Sequence, residues 1–191
     1  MSAVEQGKAT IPLHRPSLKE RLFFFSSGIV VSVPLAVFFE SFAGLFPIIP
    51  QPYASILSIA VLAPIIEEFG KAYPLFYRHG ETKKSIMTLG FLVGLGFGIA
   101  EFLEYVLILR VPIVFRLPGI FFHAASTSIV AYGIANKKSA AFYMVAVVLH
   151  FSNNVDALFD PFLSLSLVVI LLTLFLFWHL YRKTPETFIA Y

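Results

Sequence analysis

The feature that most constrains this chain is a succession of long apolar segments separated by short polar linkers. A helix that crosses a lipid bilayer needs about 20 mostly apolar residues in a row. The sequence offers six such segments, over residues 21–46, 52–77, 85–109, 112–136, 139–158 and 161–181. Because the linkers leave no room for a soluble domain, we expect an all-α, polytopic membrane helix bundle of about six transmembrane helices.

Composition supports the bilayer as the solvent of this chain. Of its 191 residues, 58% are hydrophobic and 13% are charged, and a soluble domain of this length could not bury so much apolar surface. We expect an N-terminal tail over 1–16, one transmembrane domain over 17–184 and a C-terminal tail over 185–191. Ser17 and Glu20 have the spacing of a capping box, which predicts the start of the first helix.

The basic residues lie at the ends of the apolar segments, which argues against nucleic acid as a partner. Both tails and the linkers near residues 78–84 and 137–138 hold most of them, whereas the opposite linkers hold only Arg110 and the nearby Arg116. The positive-inside rule then predicts a multi-pass protein of the cell membrane with both termini in the cytoplasm. The absence of cysteine excludes disulfides, thiol nucleophiles and cysteine-based zinc sites.

The second apolar segment contains the stretch APIIEEFGKAYP, with Glu67, Glu68 and Lys71. Each ionised residue at the centre of a membrane helix costs about 2.5–3.5 kcal/mol on insertion scales. These side chains should therefore face the bundle interior or a wet cavity. Glu67 and Lys71 are four residues apart, in the favourable order for an ion pair on one helix face. One such pair could simply join helices, but a second glutamate favours a functional site.

The third segment carries glycines at positions 90, 94 and 98, a stripe that predicts close packing of another helix. Phe97, Glu101 and Tyr105 then recur every four residues on one face. Ionisable residues inside membrane segments usually mark functional sites. Glu101 is therefore a candidate site residue, with Tyr105 nearer the membrane interface.

The fourth and fifth segments each contain a mid-segment histidine, His123 and His150, and Asn154 follows His150 by four residues. Glutamate and histidine together can deprotonate water, and histidine and asparagine can donate to a developing oxyanion. The same groups could hold zinc with two histidines and one glutamate, although the HExxH motif is absent. The hydroxyl residues at positions 126–128 are expected to make hydrogen bonds between helices.

Together these motifs resemble the PrsW family of intramembrane proteases, within a superfamily that includes the type II CAAX prenyl proteases. The resemblance rests on four motifs in order: Glu67-Glu68-x-x-Lys71, Phe97-x-x-x-Glu101-x-x-x-Tyr105, His123, and His150-x-x-x-Asn154. It implies an integral membrane endopeptidase that cleaves membrane-anchored proteins, such as an anti-sigma factor, near the outer face. The CAAX proteases have EExxxR and FxxxH in place of EExxK and FxxxE, so prenylated substrates are not expected.

The resemblance also implies roles for the site residues. Glu67, helped by His150, would activate water, and Glu68 would orient Glu67. Lys71 would hold the carboxylate pair, while His123 and Asn154 would stabilise the oxyanion. Tyr105 is a supporting residue.

Two mechanisms stay open, a glutamate protease and a metalloprotease. In the second, zinc would be held by Glu67, His123 and His150, with Glu101 as a further ligand. Otherwise Glu101 would support a histidine. The main alternative function is a small proton- or ion-coupled membrane transporter, because intramembrane acids and imidazoles also relay protons. A second alternative is a partner protein whose charges only pair helices.

Overall fold

A computed structural model describes residues 15–41, 49–50, 52–77, 82–159 and 164–187. Within these ranges six long helices follow each other: α1 (Leu18–Phe39), α2 (Tyr53–Tyr77), α3 (Lys83–Ile108), α4 (Ile113–Ala135), α5 (Ser139–Phe159) and α6 (Ser164–Lys183). The predicted all-helical bundle is confirmed. Most of the predicted N-terminal tail, residues 42–46 of the first apolar segment and the last four residues lie outside the described ranges.

Five helices of the described residues are long and apolar enough to cross a membrane, namely α1, α2, α3, α4 and, over Leu165–Lys183, α6. This confirms a polytopic membrane bundle. The remaining long helix, α5, spans 21 residues and carries His150, Asn153, Asn154 and Asp156 in its C-terminal half. It is not among the five, so the count of six spans stays a prediction, as does the orientation of the termini.

Helix α1 begins with the predicted capping box. The Glu20 backbone N–H donates to the Ser17 side-chain oxygen at 3.3 Å, and the Ser17 backbone N–H donates to the Glu20 carboxylate at 2.7 Å. Two backbone donors at the helix start are thereby satisfied by local side chains.

Three of the helices widen locally into π-helix, over Gly28–Ser32 in α1, Ile56–Leu62 in α2 and Glu104–Ile108 in α3. The first two segments are each followed, two residues later, by a proline, Pro34 and Pro64. Proline has no backbone N–H, so the α-helical hydrogen-bond ladder is interrupted at these points. Short π segments frequently mark functional sites, and those of α2 and α3 both lie beside the cavity described below.

Helix α3 packs closely on α4 through the predicted glycine stripe. A Cβ atom on Gly90 would lie 2.7 Å from the Ala131 Cβ, and one on Gly98 would lie 2.9 Å from the Ile120 Cα. A Cβ on Gly94 would overlap the backbone carbonyl of His123. The stripe therefore sets how close α4 comes to α3, and with it the position of His123.

The outward faces of the bundle are apolar. Helix α6 exposes large side chains such as Leu171, Phe175 and Trp178, which suits a surface solvated by lipid. The interior between α1, α3 and α4 is filled instead by a cluster that includes Phe24, Leu89 and Val93. Polar and charged side chains collect on the other side of α3 and α4, where the candidate site lies.

Candidate active site

Helix α2 contributes three charged residues to the bundle interior. The side chains of Glu68 and Lys71 are completely buried, and that of Glu67 is 12% exposed. The Lys71 ammonium donates to Glu68 Oε1 at 2.7 Å. The sequence pattern pointed to Glu67 as the partner of Lys71, four residues away, but the structure pairs Lys71 with Glu68, three residues away. The ammonium therefore neutralises the deeper of the two carboxylates.

Glu68 accepts hydrogen bonds from two further helices. Ser126 Oγ of α4 lies 3.2 Å from Glu68 Oε1, and His150 Nδ1 of α5 lies 3.0 Å from the same oxygen. A buried carboxylate with an ammonium, a hydroxyl and an imidazole around it is well satisfied. Glu68 thus joins α2, α4 and α5 and holds Nδ1 of His150.

The tautomer of His123 follows from its two neighbours. Lys71 Nζ lies 2.9 Å from His123 Nδ1, and Glu101 Oε2 lies 2.6 Å from His123 Nε2. Because an ammonium can only donate, Nδ1 must accept. In the neutral ring, Nε2 then carries the hydrogen and donates it to Glu101. Of the two roles left open for Glu101, the geometry therefore matches support of a histidine.

Arg116 completes this side of the site. Its guanidinium donates to Glu101 Oε1 at 2.8 Å and stacks 3.5 Å from the centre of the Tyr105 ring. Sequence reasoning counted Arg116 only as a linker charge for topology. No local pattern could reveal the contact, since Arg116 and Glu101 lie on consecutive helices joined by a turn whose geometry the sequence does not specify.

His150 has one ring nitrogen that is available to accept a proton or to bind a metal ion. Its Nδ1 faces the carboxylate of Glu68, so Nδ1 carries the hydrogen and Nε2 keeps its lone pair. Nε2 lies 3.8 Å from Glu67 Oε2. A carboxylate behind a histidine fixes the orientation and the tautomer of the ring. His150 Nε2 and Glu67 are therefore arranged to accept a proton or to ligate an ion.

These groups line a cavity of about 540 Å³. The predicted site residues at its wall are Glu67, Glu101, Tyr105, His123, His150 and Asn154, joined by Arg116 and Asn153, which the sequence did not single out. Glu68 and Lys71 lie behind this wall. A volume of this size is in the range of small-molecule and peptide side-chain pockets.

Two asparagines of α5 adjoin the cavity. The Asn154 amide donates to the backbone carbonyl of Ile59 at 3.0 Å. Asn153, the preceding residue, also reaches the cavity, and its Oδ1 is buried without a hydrogen-bond partner. The π segment of α2 supplies Ile59 and hence the contact to Asn154.

Glu67, His123 and His150 form a group that could hold a metal ion. Each offers one ligand atom, and these atoms lie within 4.8 Å of one another. Two imidazoles and one carboxylate are a typical ligand set of catalytic zinc, and Glu68 stands behind His150 as such sites require. The residues fit zinc by donor type, with the condition that His123 exchanges one of its two hydrogen bonds for the ion.

The charges of the cluster also suit a cation. Among the described residues at the site, Glu67, Glu68 and Glu101 bring three carboxylates, whereas Lys71 and Arg116 bring two cations. One negative charge in excess is costly in a membrane interior. A bound proton or metal ion would remove this cost.

Comparison with known proteins agrees with the site. The family described as PrsW family intramembrane metalloprotease matches residues 17–180. No curated protein and no solved structure shows significant similarity to the chain. The match extends from the first capping residue into α6 and covers most of the chain. By this match the chain belongs to the PrsW family of intramembrane metalloproteases.

Proposed function

We propose that this protein is an intramembrane endopeptidase that hydrolyses a peptide bond of a membrane-anchored protein. The observation that carries the proposal is the convergence of Glu67 and His150 on one cavity, with His150 Nε2 3.8 Å from Glu67 and its Nδ1 held by buried Glu68. Family membership supports the protease over the transporter.

In this mechanism Glu67, assisted by His150, takes a proton from water, and the water oxygen attacks the carbonyl carbon of the scissile amide. The Asn154 amide donates to the oxygen that becomes negatively charged. The proton then passes to the amide nitrogen as the C–N bond breaks, which leaves a carboxylate and an amine. His123 has both ring nitrogens engaged, so we assign it to support of this arrangement rather than to direct oxyanion contact.

Zinc is the candidate cofactor. Glu67, His123 and His150 would hold it, and when bound it would supply Lewis-acid polarisation of water and of the scissile carbonyl. Glu68 would orient His150 in either case. Lys71 pairs with the Glu68 carboxylate, and Glu101 together with Arg116 fixes the His123 ring.

The proposed substrate class is a membrane-anchored protein. Four of the membrane-capable helices, α2, α3, α4 and α6, contribute residues to the cavity wall, which supports a substrate that reaches the site from the bilayer. A single-span membrane protein of the anti-sigma-factor kind fits this requirement. We place the protein in the cell membrane with both termini cytoplasmic, on the charge distribution of its linkers. A relationship to the CAAX proteases is likewise proposed, from the four short sequence motifs.

The experiment is cleavage of a tagged single-span reporter by purified protein in proteoliposomes. We expect wild type to cleave it, and Glu67→Gln and His150→Ala to lose at least about 10³-fold in kcat. The matched control is His179→Ala, because His179 is an exposed histidine of α6 that does not line the cavity. Ion flux that survives His150→Ala, without cleavage by wild type, would instead support transport.

A further inference from the structure

Pro64 has a consequence for the backbone of α2. The π segment Ile56–Leu62 ends at Ala63, whose backbone N–H donates to the carbonyl of Ser58. In α or π register, the N–H groups that could reach the Ile59 carbonyl belong to residues 63 and 64. Ala63 already donates to Ser58, and Pro64 has no N–H. The Ile59 carbonyl is therefore left without an α- or π-type backbone donor.

Asn154 of α5 takes the place of that donor. Its amide nitrogen lies 3.0 Å from the Ile59 oxygen, although the two residues are 95 positions apart in sequence. A carbonyl oxygen can only accept, so the contact fixes which end of the amide is the nitrogen. That nitrogen carries two hydrogens, and Ile59 occupies one of them. The second is left for a group in the cavity that Asn154 and Ile59 both line.

We propose that Pro64 is a positioning residue for Asn154: by withholding a backbone donor it frees the Ile59 carbonyl, which then holds the Asn154 amide toward the bound peptide. The inference rests on the proposed function, in which Asn154 donates to the oxyanion. Pro64 lies three residues before Glu67, and the simpler explanation for a proline there is a kink in α2. In our proposal Pro64 instead affects catalysis through Asn154.

Pro34 offers a matched control for the alternative that Pro64 acts only through the shape of its helix. Pro34 follows the π segment Gly28–Ser32 of α1 in the same way that Pro64 follows the segment of α2. Pro34 is exposed and does not line the cavity. A general effect of proline on helix shape should make Pro34→Ala and Pro64→Ala alike, whereas an effect through Asn154 should appear only with Pro64→Ala.

The test is a double-mutant cycle on reporter cleavage. Alanine at position 64 restores an N–H that competes with Asn154 for the Ile59 carbonyl. We expect Pro64→Ala to lower kcat about tenfold or more with little change in KM, since small misplacements of catalytic groups cost up to about 10²-fold. Asn154→Ala should lower kcat about 10²–10³-fold, and adding Pro64→Ala to Asn154→Ala should cause no further loss. Pro34→Ala should leave kcat unchanged.

Two outcomes would overturn the role of Pro64, and a third would overturn the oxyanion role of Asn154 on which it rests. Full activity of Pro64→Ala, or losses that multiply in the double variant, exclude action through Asn154. Full activity of Asn154→Ala removes its oxyanion role, and with it the premise of the inference. Thermal unfolding in detergent accompanies each assay, and a variant that unfolds is replaced by Pro64→Ser, which restores the same N–H.

Discussion

At the scale of single residues, the site is a continuous line of hydrogen-bonded polar and charged side chains. From His150 it runs through Glu68, Lys71, His123 and Glu101 to Arg116, with each neighbouring pair between 2.6 and 3.0 Å apart. Each side chain is hydrogen-bonded to the next, which offsets the free-energy cost of burying these polar and charged groups. It also fixes which nitrogen of each histidine carries hydrogen.

Removal of Lys71 tests the strength of this line. We expect Lys71→Met to lower the free energy of unfolding by about 3–5 kcal/mol, because it leaves the buried carboxylate of Glu68 uncompensated. Thermal unfolding in detergent measures the effect. The double variant Glu68→Gln, Lys71→Met should regain part of the loss. The exposed pair Arg15–Glu186 is the control, since Arg15→Gln should cost less than about 1 kcal/mol.

Arg116 provides a second test at this scale. Arg116→Gln removes the cation that orients Glu101, and through it His123, so we expect kcat to fall about 10–100-fold with little change in KM. Arg110→Gln is the matched control, because Arg110 lies in the preceding turn and is exposed. Equal activity of the two variants would contradict a role for Arg116 in the site.

At the scale of helices, close packing of α3 on α4 sets the height and rotation of His123. Gly94 lies against the His123 carbonyl, and Thr127 Oγ1 donates to that same carbonyl at 2.9 Å. The backbone that carries the histidine is therefore held from two directions. The π segments of α2 and α3 act at the same scale, since they shift the rotation of the side chains beyond them.

The glycine contact predicts an asymmetric response to added methyl groups. Gly94→Ala places a Cβ on the backbone of α4, so we expect a loss of stability of about 1–3 kcal/mol from overpacking. Gly119→Ala in α4 adds the same methyl group where nothing lies within 4 Å, and it should not destabilise the protein. Melting temperatures in one detergent compare the two, and equal values would show that α3 and α4 do not pack as described.

At the scale of the whole molecule, four helices supply the site: α2, α3, α4 and α5. Helix α6 supplies none of the candidate catalytic residues, but its Ser166 and Ile170 also line the cavity. The Ser166 backbone N–H donates to Asp156 of α5 at 2.6 Å, which ties the last helix to the one that carries His150. The bundle thus surrounds the polar cluster and leaves apolar faces outward.

The fit of Glu67, His123 and His150 to zinc makes a prediction for the intact protein. We expect purified protein to contain about one zinc ion per chain by elemental analysis, and a chelator to remove it together with reporter cleavage. Added zinc should restore both. Glu67→Gln and His150→Ala should lower the zinc content, whereas His179→Ala should not. Cleavage by metal-free protein would assign water activation to Glu67 and His150 alone.

The amino-acid sequence is sufficient to identify a helical membrane protein and the residues that are costly to bury in the bilayer. Long apolar runs predict membrane helices because lipid leaves the backbone few other solutions. Polar and charged residues within such runs need polar partners. This requirement allowed five residues to be identified from the sequence of each helix alone: Glu67, Glu68, Lys71, His123 and His150. Their short motifs were also sufficient to suggest the family that the comparison then showed.

Which of these groups contact each other depends on how the helices pack in three dimensions. The pairing of Lys71 with Glu68 rather than Glu67, and the places of Arg116, Ser126 and Asn153, depend on helix rotation and on π segments. Helical spacing predicts neighbours within about four residues, whereas the contact between His150 and Glu68 spans 82 positions. Hydrogen bonds act over about 3 Å, so a rotation too small to alter any hydropathy pattern decides which partners form.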